Sequence, residues 1–226
     1  MRTDYPLHDK SYKHKKTTGH SGWDTQEGAA ETLKVIEEQY SCAKMPESGT
    51  LLEIGCGAGE NSVWFAKQGY TVSGMDIAPT AIEWAEERAT AEDLVIDFRT
   101  GNVLTLEGYA EGSFDIVHDG HCLHCIIGEQ DRTAVLSSVK RVLKPGGVLY
   151  VGTMSGEWVP ILGGEFDQAT RCLVVKDIAT RYIGLPEDIR REIINAGFVI
   201  EYESFIPYEK DETGVFGELI IKAIKE

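Results

Sequence analysis

A cluster of histidine, cysteine and acidic residues is the part of this sequence best suited to chemistry: His118-Asp119-Gly120-His121-Cys122-Leu123-His124-Cys125. A histidine of near-neutral pKa, or a carboxylate, can accept a proton, so His121 or Asp119 is a candidate general base. Histidine and cysteine are also the ligands that zinc and other soft metals prefer. A third interpretation is packing, because a free cysteine behaves as a small hydrophobic residue.

The spacing within this cluster bears on the metal interpretation. A helix that begins near Gly120 would bring His121, His124 and Cys125 to one face. That arrangement can hold a metal, but it matches no standard structural zinc site. We therefore expect no bound metal, and we favour packing over ligation for Cys122 and Cys125.

A second chemical signal is the glycine-rich stretch at residues 51–60. The apolar run 51–54 is typical of a buried parallel strand. Gly55, Gly57 and Gly59 allow a sharp turn and a close approach to a ligand, since no Cβ stands in the way. A helix that starts after them directs free N–H groups at whatever lies over the turn. The dinucleotide pattern G-x-G-x-x-G/A needs a small residue where Glu60 stands.

Strands alternate with helices through the middle of the chain, which favours βαβ units and a parallel sheet. The last two strands are close enough in sequence to pair antiparallel. After the first strand, the predicted strands are Tyr70–Met75, Leu94–Arg99, Phe114–His118, Val148–Thr153, Phe198–Ile206 and Val215–Ile224.

Two segments interrupt this rhythm. Residues 1–27 have little periodicity and form either an arm or lid over a site or a solvated tail. Residues 154–186 have no clear period and are expected to form a cap-like insertion. The remaining chain, 28–226, is then a single domain that carries the insertion.

From residue 28 to 226 the order of signals resembles the class I S-adenosylmethionine (SAM)-dependent methyltransferases. Glu53 precedes the glycine turn, and Asp76 follows Gly55 by 21 residues. The segments 114–117 (Phe-Asp-Ile-Val) and 141–149 (Arg-Val-Leu-Lys-Pro-Gly-Gly-Val-Leu) match later motifs of the family. The resemblance implies an α/β, Rossmann-like doubly wound sheet of seven strands, in the order 3-2-1-4-5-7-6 with strand 7 antiparallel. It also implies in-line methyl transfer from SAM to a small-molecule acceptor.

The same resemblance implies a set of cofactor residues. Asp76 would accept the ribose hydroxyls, and Glu53 would orient the turn or receive the ammonium group of SAM through water. Asn102 would contact the adenine amino group, although an aspartate is common there and an ordinary turn residue is the alternative. The full set is Glu53, Gly55, Cys56, Gly57, Gly59, Asp76, Ile77, Asn102, Val103 and Asp119.

The acceptor is expected above the ends of strands four and five. Arg171 would hold an anionic group by a paired contact, and aromatic side chains would exclude water. The alternative is that Trp158 and Tyr182 only stabilise the cap and that Arg171 only offsets surface acids. The predicted substrate residues are Trp23, His121, His124, Trp158, Arg171 and Tyr182.

Composition limits the partners and the location. A net charge of −15 repels phosphate backbones, so we expect no nucleic acid. No run is apolar enough to span a bilayer, and the polar N-terminus is unlike a secretory signal. Five cysteines without regular spacing favour a reducing cytoplasm. The alternatives to a methyltransferase are a SAM- or metal-sensing binding protein and, less favoured, an NAD-dependent oxidoreductase. The sequence leaves the oligomeric state open.

Overall fold

Ten strands and six α-helices form the part of the chain that the structure describes. A computed structural model describes residues 4–20, 22–157, 164–208 and 215–226. The helices are α1 (Leu7–Thr17), α2 (Gln26–Cys42), α3 (Glu60–Lys67), α4 (Pro79–Ala91), α5 (Glu129–Val142) and α6 (Pro186–Asn195). The strands are β1 (Thr50–Ile54), β2 (Thr71–Asp76), β3 (Asp97–Thr100), β4 (Phe114–Gly120), β5 (Leu143–Gly156), β6 (Glu165–Asp167), β7 (Cys172–Val175), β8 (Ile178–Tyr182), β9 (Phe198–Pro207) and β10 (Phe216–Lys225).

Seven of these strands make the central sheet, in the order β3-β2-β1-β4-β5-β10-β9. Numbering only the strands of this sheet gives 3-2-1-4-5-7-6, so the predicted order is confirmed. β10 runs antiparallel to both β5 and β9, as predicted. The carboxyl ends of β2, β1 and β4 lie side by side, because Ile54 pairs with Met75 on one side and with Asp119 on the other.

Side chains of β1 are buried on both faces of the sheet, which explains its continuous apolar sequence. Leu51 packs with Ile116 and Ile220 on one face. Leu52 packs with Val117 on the opposite face. Both leucines are fully buried. The glycine turn after β1 therefore starts from a strand that is held firmly on both sides.

The segment after β4 differs from the prediction. The sequence predicted that the strand ends at His118, and a helix that begins near Gly120 was considered after it. Instead, β4 continues to Gly120, which pairs with Gly152 of β5. The His121 amide also donates to the Gly152 carbonyl oxygen at 2.9 Å. These bonds extend the strand to Gly120. A single 3₁₀ turn, Leu123–Cys125, then lies between β4 and α5.

Helix α1 lies in the N-terminal segment, where the sequence showed little periodicity. The helix has one buried residue, Tyr12, so it lacks the repeated apolar positions that reveal an amphipathic helix. Asp9 accepts a hydrogen bond from the Thr80 amide at 2.9 Å. Tyr5 donates to the Asp131 carboxylate at 2.7 Å. The described part of the segment is thus attached to the body at the starts of α4 and α5.

The region 154–186 contains a small antiparallel sheet in the order β6-β7-β8. Its strands have three to five residues, too short to show a period in the sequence. Trp158 lies outside the described residues. Within the described ranges, no helix has the length and apolar character needed to cross a membrane.

Candidate active site

A cavity of about 740 Å³ opens at the carboxyl ends of β1, β2 and β4. Its volume lies in the range of small-molecule sites, about 300–1,000 Å³. Its walls combine the glycine turn, the His/Cys cluster, the N-terminal segment, β8 and β10. The predicted site residues that line it are Trp23, Glu53, Gly55, Cys56, Gly57, Asp76, Ile77, Asn102, Val103, His121 and His124.

The backbone of the glycine turn lies close to its neighbours. Gly57 has φ +54°, and a Cβ built there would stand 2.4 Å from the Tyr12 hydroxyl oxygen. Gly59 has φ +78°, and a Cβ there would meet the Ala85 Cβ at 2.9 Å. A side chain at position 57 would therefore collide with Tyr12 on the cavity side of the turn. Gly59 allows α3 to pack against α4, and it is not among the described residues that line the cavity.

Asp76 ends β2 directly beneath the turn, with 7% of its surface exposed. Its carboxylate accepts hydrogen bonds from the Gly57 amide at 3.0 Å and the Ala78 amide at 2.9 Å. Burial raises the pKa of Asp76 above its usual value, and the backbone amides partly oppose that shift. Each carboxylate oxygen can accept a second hydrogen bond, so the group can still receive ligand hydroxyls from the cavity.

Glu53 is buried behind the turn and holds the start of α3. It accepts hydrogen bonds from the Ser62 hydroxyl and, at 3.0 Å, from the Asn61 side-chain amide. Burial raises the pKa of Glu53 to about 8, so the side chain is largely neutral at pH 7. This environment favours the orienting role of Glu53 over the binding of an ammonium group.

The position of Asn102 is compatible with both roles considered for it, a turn residue and a contact to the adenine amino group. Its side-chain oxygen accepts a hydrogen bond from the Leu104 amide at 3.0 Å, which closes a turn after β3. The residue also lines the cavity, next to Val103. The side-chain oxygen can accept a second hydrogen bond, so the acceptor that an adenine amino group would need is retained.

His121 lies at the cavity wall beside a carboxylate that the sequence analysis did not identify. Its Nε2 is 3.2 Å from Oε1 of Glu218 on β10. Its φ of +72° is unusual for a non-glycine residue. Burial lowers the pKa of His121, but Glu218 and Asp119 raise it more, so the net pKa is above the usual value. The pair is a histidine oriented by an acid, as in many general bases.

Asp119, predicted as a catalytic and cofactor residue, lies behind the wall instead. Its carboxylate accepts hydrogen bonds from the amides of Cys122 at 2.7 Å and Leu123 at 3.2 Å. Burial raises the pKa of Asp119 to about 6. The side chain shapes the loop that carries His121, and it is not among the described lining residues.

Two predicted substrate residues also lie away from the cavity lining. Arg171 donates to the carbonyl oxygens of Gly156 at 2.6 Å and Ile183 at 2.8 Å, so it links the two ends of the 154–186 region. The Tyr182 ring stacks under the guanidinium of Arg132, with 4.2 Å from Cζ to the ring centroid. The contact of Tyr182 matches the alternative considered for it, which is stabilisation of the cap. The alternative for Arg171 was an offset of surface acids, and its Nη1 lies 3.8 Å from Oε2 of Glu157.

Sequence reasoning missed Tyr12, Arg181 and Glu218, all of which line the cavity. Glu218 had a usable signal, because it is an acid inside the apolar run of β10. Tyr12 and Arg181 lie in segments without a clear period, so no pattern indicated which way their side chains point.

Among the described residues, no three His, Cys, Asp or Glu side chains lie close enough together to hold a metal ion. We expect the purified protein to hold no stoichiometric zinc, because the His/Cys cluster matches no standard structural zinc spacing. Elemental analysis checks this. One tightly bound metal per chain that disappears in Cys125→Ser would contradict it.

Comparison with known proteins places this arrangement in context. Residues 52–151 match the methyltransferase domain family. A ubiquinone biosynthesis O-methyltransferase from Xanthomonas oryzae pv. oryzae is 31% identical over 124 residues, 54% of this chain. The chain spans about half of that relative's length, 51%.

Two solved structures share the fold. A SAM-dependent methyltransferase from Methanosarcina mazei has TM-score 0.67 and 25% identity, with 84% of this chain and 96% of that chain covered. The [4+2]-cyclase SpnF has TM-score 0.73 and 17% identity, with 100% and 97% covered. The second likeness shows the fold alone. With the observed strand order and glycine turn, these findings show that residues 52–151 belong to the methyltransferase domain family and that the chain has the fold of a SAM-dependent methyltransferase.

Proposed function

We propose that the protein is a SAM-dependent methyltransferase that acts on a small-molecule acceptor. The observation that carries this proposal is the cavity that joins the glycine turn and Asp76 to the His121–Glu218 pair. A cofactor bound by the glycine turn and Asp76, and an acceptor bound near His121 and Glu218, would then lie in the same cavity. The methyltransferase domain match and the Xanthomonas relative support this activity.

The cavity residues fit SAM. Gly57 lines the cavity beside the Tyr12 hydroxyl, Asp76 offers acceptors for ribose hydroxyls, and Ile77 and Asn102 also line the cavity. When bound, SAM supplies an electrophilic methyl group on a sulfonium, which a nucleophile displaces in line. The main task of the protein is to align the acceptor with that methyl group.

His121 is proposed as the general base. Donation from Nε2 to Glu218 leaves Nδ1 as a proton acceptor. A hydroxyl or a protonated amine needs such a base, whereas a thiolate or a carboxylate does not. The pair therefore favours an oxygen or amine nucleophile, and the relative from Xanthomonas is named an O-methyltransferase.

We also propose that residues 1–27 act as a lid and that residues 154–186 act as a cap on the 28–226 domain. Tyr12 covers Gly57, and Trp23 lines the cavity. All five cysteines are free, which supports the proposed location in a reducing cytoplasm.

Asp76→Ala should weaken binding of S-adenosylhomocysteine, the demethylated product of SAM, by roughly 1.5–3 kcal/mol, because a charge-assisted contact is lost. Asp76→Asn, which keeps one acceptor oxygen, should lose less affinity for S-adenosylhomocysteine than Asp76→Ala. Asp97→Ala is the control, since Asp97 pairs with Arg99 on the edge strand. Calorimetry on folded variants decides it, and equal affinity in all three would remove Asp76 from the site.

A screen with methyl-labelled SAM against a broad small-molecule panel tests the proposed activity. Transfer of label that requires His121 is the expected result. SAM binding without transfer to any compound would favour a SAM-sensing protein instead. The cyclase among the structural neighbours shows why the fold alone does not decide this point.

A further inference from the structure

Arg181 of β8 is an arginine in the cavity wall without a carboxylate partner among the described residues. This is unexpected in a chain with 37 acidic and 22 basic residues. Arg141 also has no carboxylate partner in the described part of the chain, but its guanidinium donates to three backbone carbonyl oxygens. The arginines that do pair with acids are Arg88, Arg99, Arg132, Arg171, Arg190 and Arg191.

The guanidinium of Arg181 retains most of its donors. Its one hydrogen bond to the described part of the chain runs from Nη1 to the Thr180 carbonyl oxygen, at 2.7 Å. Its Cζ lies 5.7 Å from the centroid of the Trp23 ring. The Trp23 ring packs against the rings of His8 and Tyr12, with centroids 5.7 Å and 5.3 Å away. A cation with free N–H groups thus stands beside an aromatic wall.

A second polar group on the same wall lacks a partner. His124 is 3% exposed, and its Nδ1 makes no hydrogen bond to any described residue. Burial, followed by the charge of Arg181, lowers the pKa of His124 and also lowers that of His8 to about 4. Both rings are therefore neutral at pH 7, and Arg181 supplies the positive charge among these three side chains. A buried polar atom without a partner is costly unless a ligand completes it.

We propose that Arg181 binds a carboxylate group of the methyl acceptor, with His124 as a further hydrogen-bonding partner, while His121 faces the nucleophile. This inference rests on the proposed methyltransferase function and narrows its substrate class to acids that carry a hydroxyl or amine. Arginine suits the role because its planar fork matches a carboxylate with two parallel hydrogen bonds. Arg181 thus replaces Arg171 as the residue that receives an anionic acceptor.

The test is a methyl-transfer screen with a paired library, in which each hydroxy- or amino-carboxylic acid is accompanied by its primary amide. The wild-type protein should methylate at least one acid tenfold or more faster than its amide. Arg181→Gln should abolish that preference, and Arg181→Lys should restore part of it. Arg191→Gln removes a charge from an exposed ion pair on α6 and should leave the preference unchanged.

The affinity for S-adenosylhomocysteine is measured on the same four proteins and should be equal in all of them. Equal rates for acids and amides, a preference that survives Arg181→Gln, or no methylated acid despite cofactor binding would each overturn the assignment of Arg181 while leaving the cofactor site intact. Failure of the wild-type protein to bind S-adenosylhomocysteine would overturn the proposed function, and this inference with it.

Discussion

Replacing Gly57 with valine should lower the affinity for S-adenosylhomocysteine by at least about 100-fold, which corresponds to about 3 kcal/mol. A valine Cβ would stand 2.4 Å from the Tyr12 hydroxyl oxygen, in the space above the turn. The left-handed backbone adds strain of about 1–2 kcal/mol, and forcing an extra side chain into a packed site costs about 1–3 kcal/mol. Calorimetry on the folded variant measures the loss.

Gly69→Val is the matched control for this experiment. Gly69 also has a positive φ, +95°, but nothing lies within 4 Å of a Cβ built there. The control should lose stability through strain and keep its affinity. Native affinity in Gly57→Val would show that this glycine neither approaches the cofactor nor needs its backbone angle.

His121→Asn should lower kcat for methyl transfer by roughly 10²–10⁴-fold, the range for loss of a general base. Asparagine tolerates the left-handed backbone of this position better than most residues, so the loop should keep its shape. The affinity for S-adenosylhomocysteine should be unchanged. The measurement uses an acceptor identified by the labelled screen, and an unchanged kcat would exclude His121 as the base.

The pH profile separates orientation by Glu218 from simple packing. The active form of His121 is neutral, so the rate should rise with pH through a pKa above the ordinary value of 6.5. Glu218→Gln removes the nearest charge that raises this pKa, while burial still lowers it and Asp119 and Asp24 still oppose burial. The midpoint of kcat/KM should therefore move to lower pH and kcat should fall. An unchanged midpoint would mean that the charge of Glu218 does not affect the pKa of His121.

The sheet and the cofactor half of the cavity were accessible from the sequence because local chemistry determines them. Apolar runs such as 51–54 define buried strands, and glycines at fixed spacing define the turn. An acid such as Asp76 at the end of the next parallel strand must lie beside that turn. In these cases the neighbours in space follow from the strand order.

The acceptor half was not accessible in the same way. Arg171 directly precedes β7 and Arg181 lies on β8 of the same small sheet, and the sequence does not say which of them faces the cavity. Tyr12 comes from a helix with one buried residue. Asp119 was assigned to catalysis because of its residue type, whereas two backbone amides use its carboxylate. Tertiary packing decides each of these roles.

Titration of the wild-type protein with S-adenosylhomocysteine, and separately with NAD, tests the central claim most directly. The account predicts saturable binding of S-adenosylhomocysteine at one site per chain, which Gly57→Val weakens. It predicts no binding of NAD, because Glu60 stands where the dinucleotide pattern needs a small residue. Saturable binding of NAD, with none of S-adenosylhomocysteine, would contradict it.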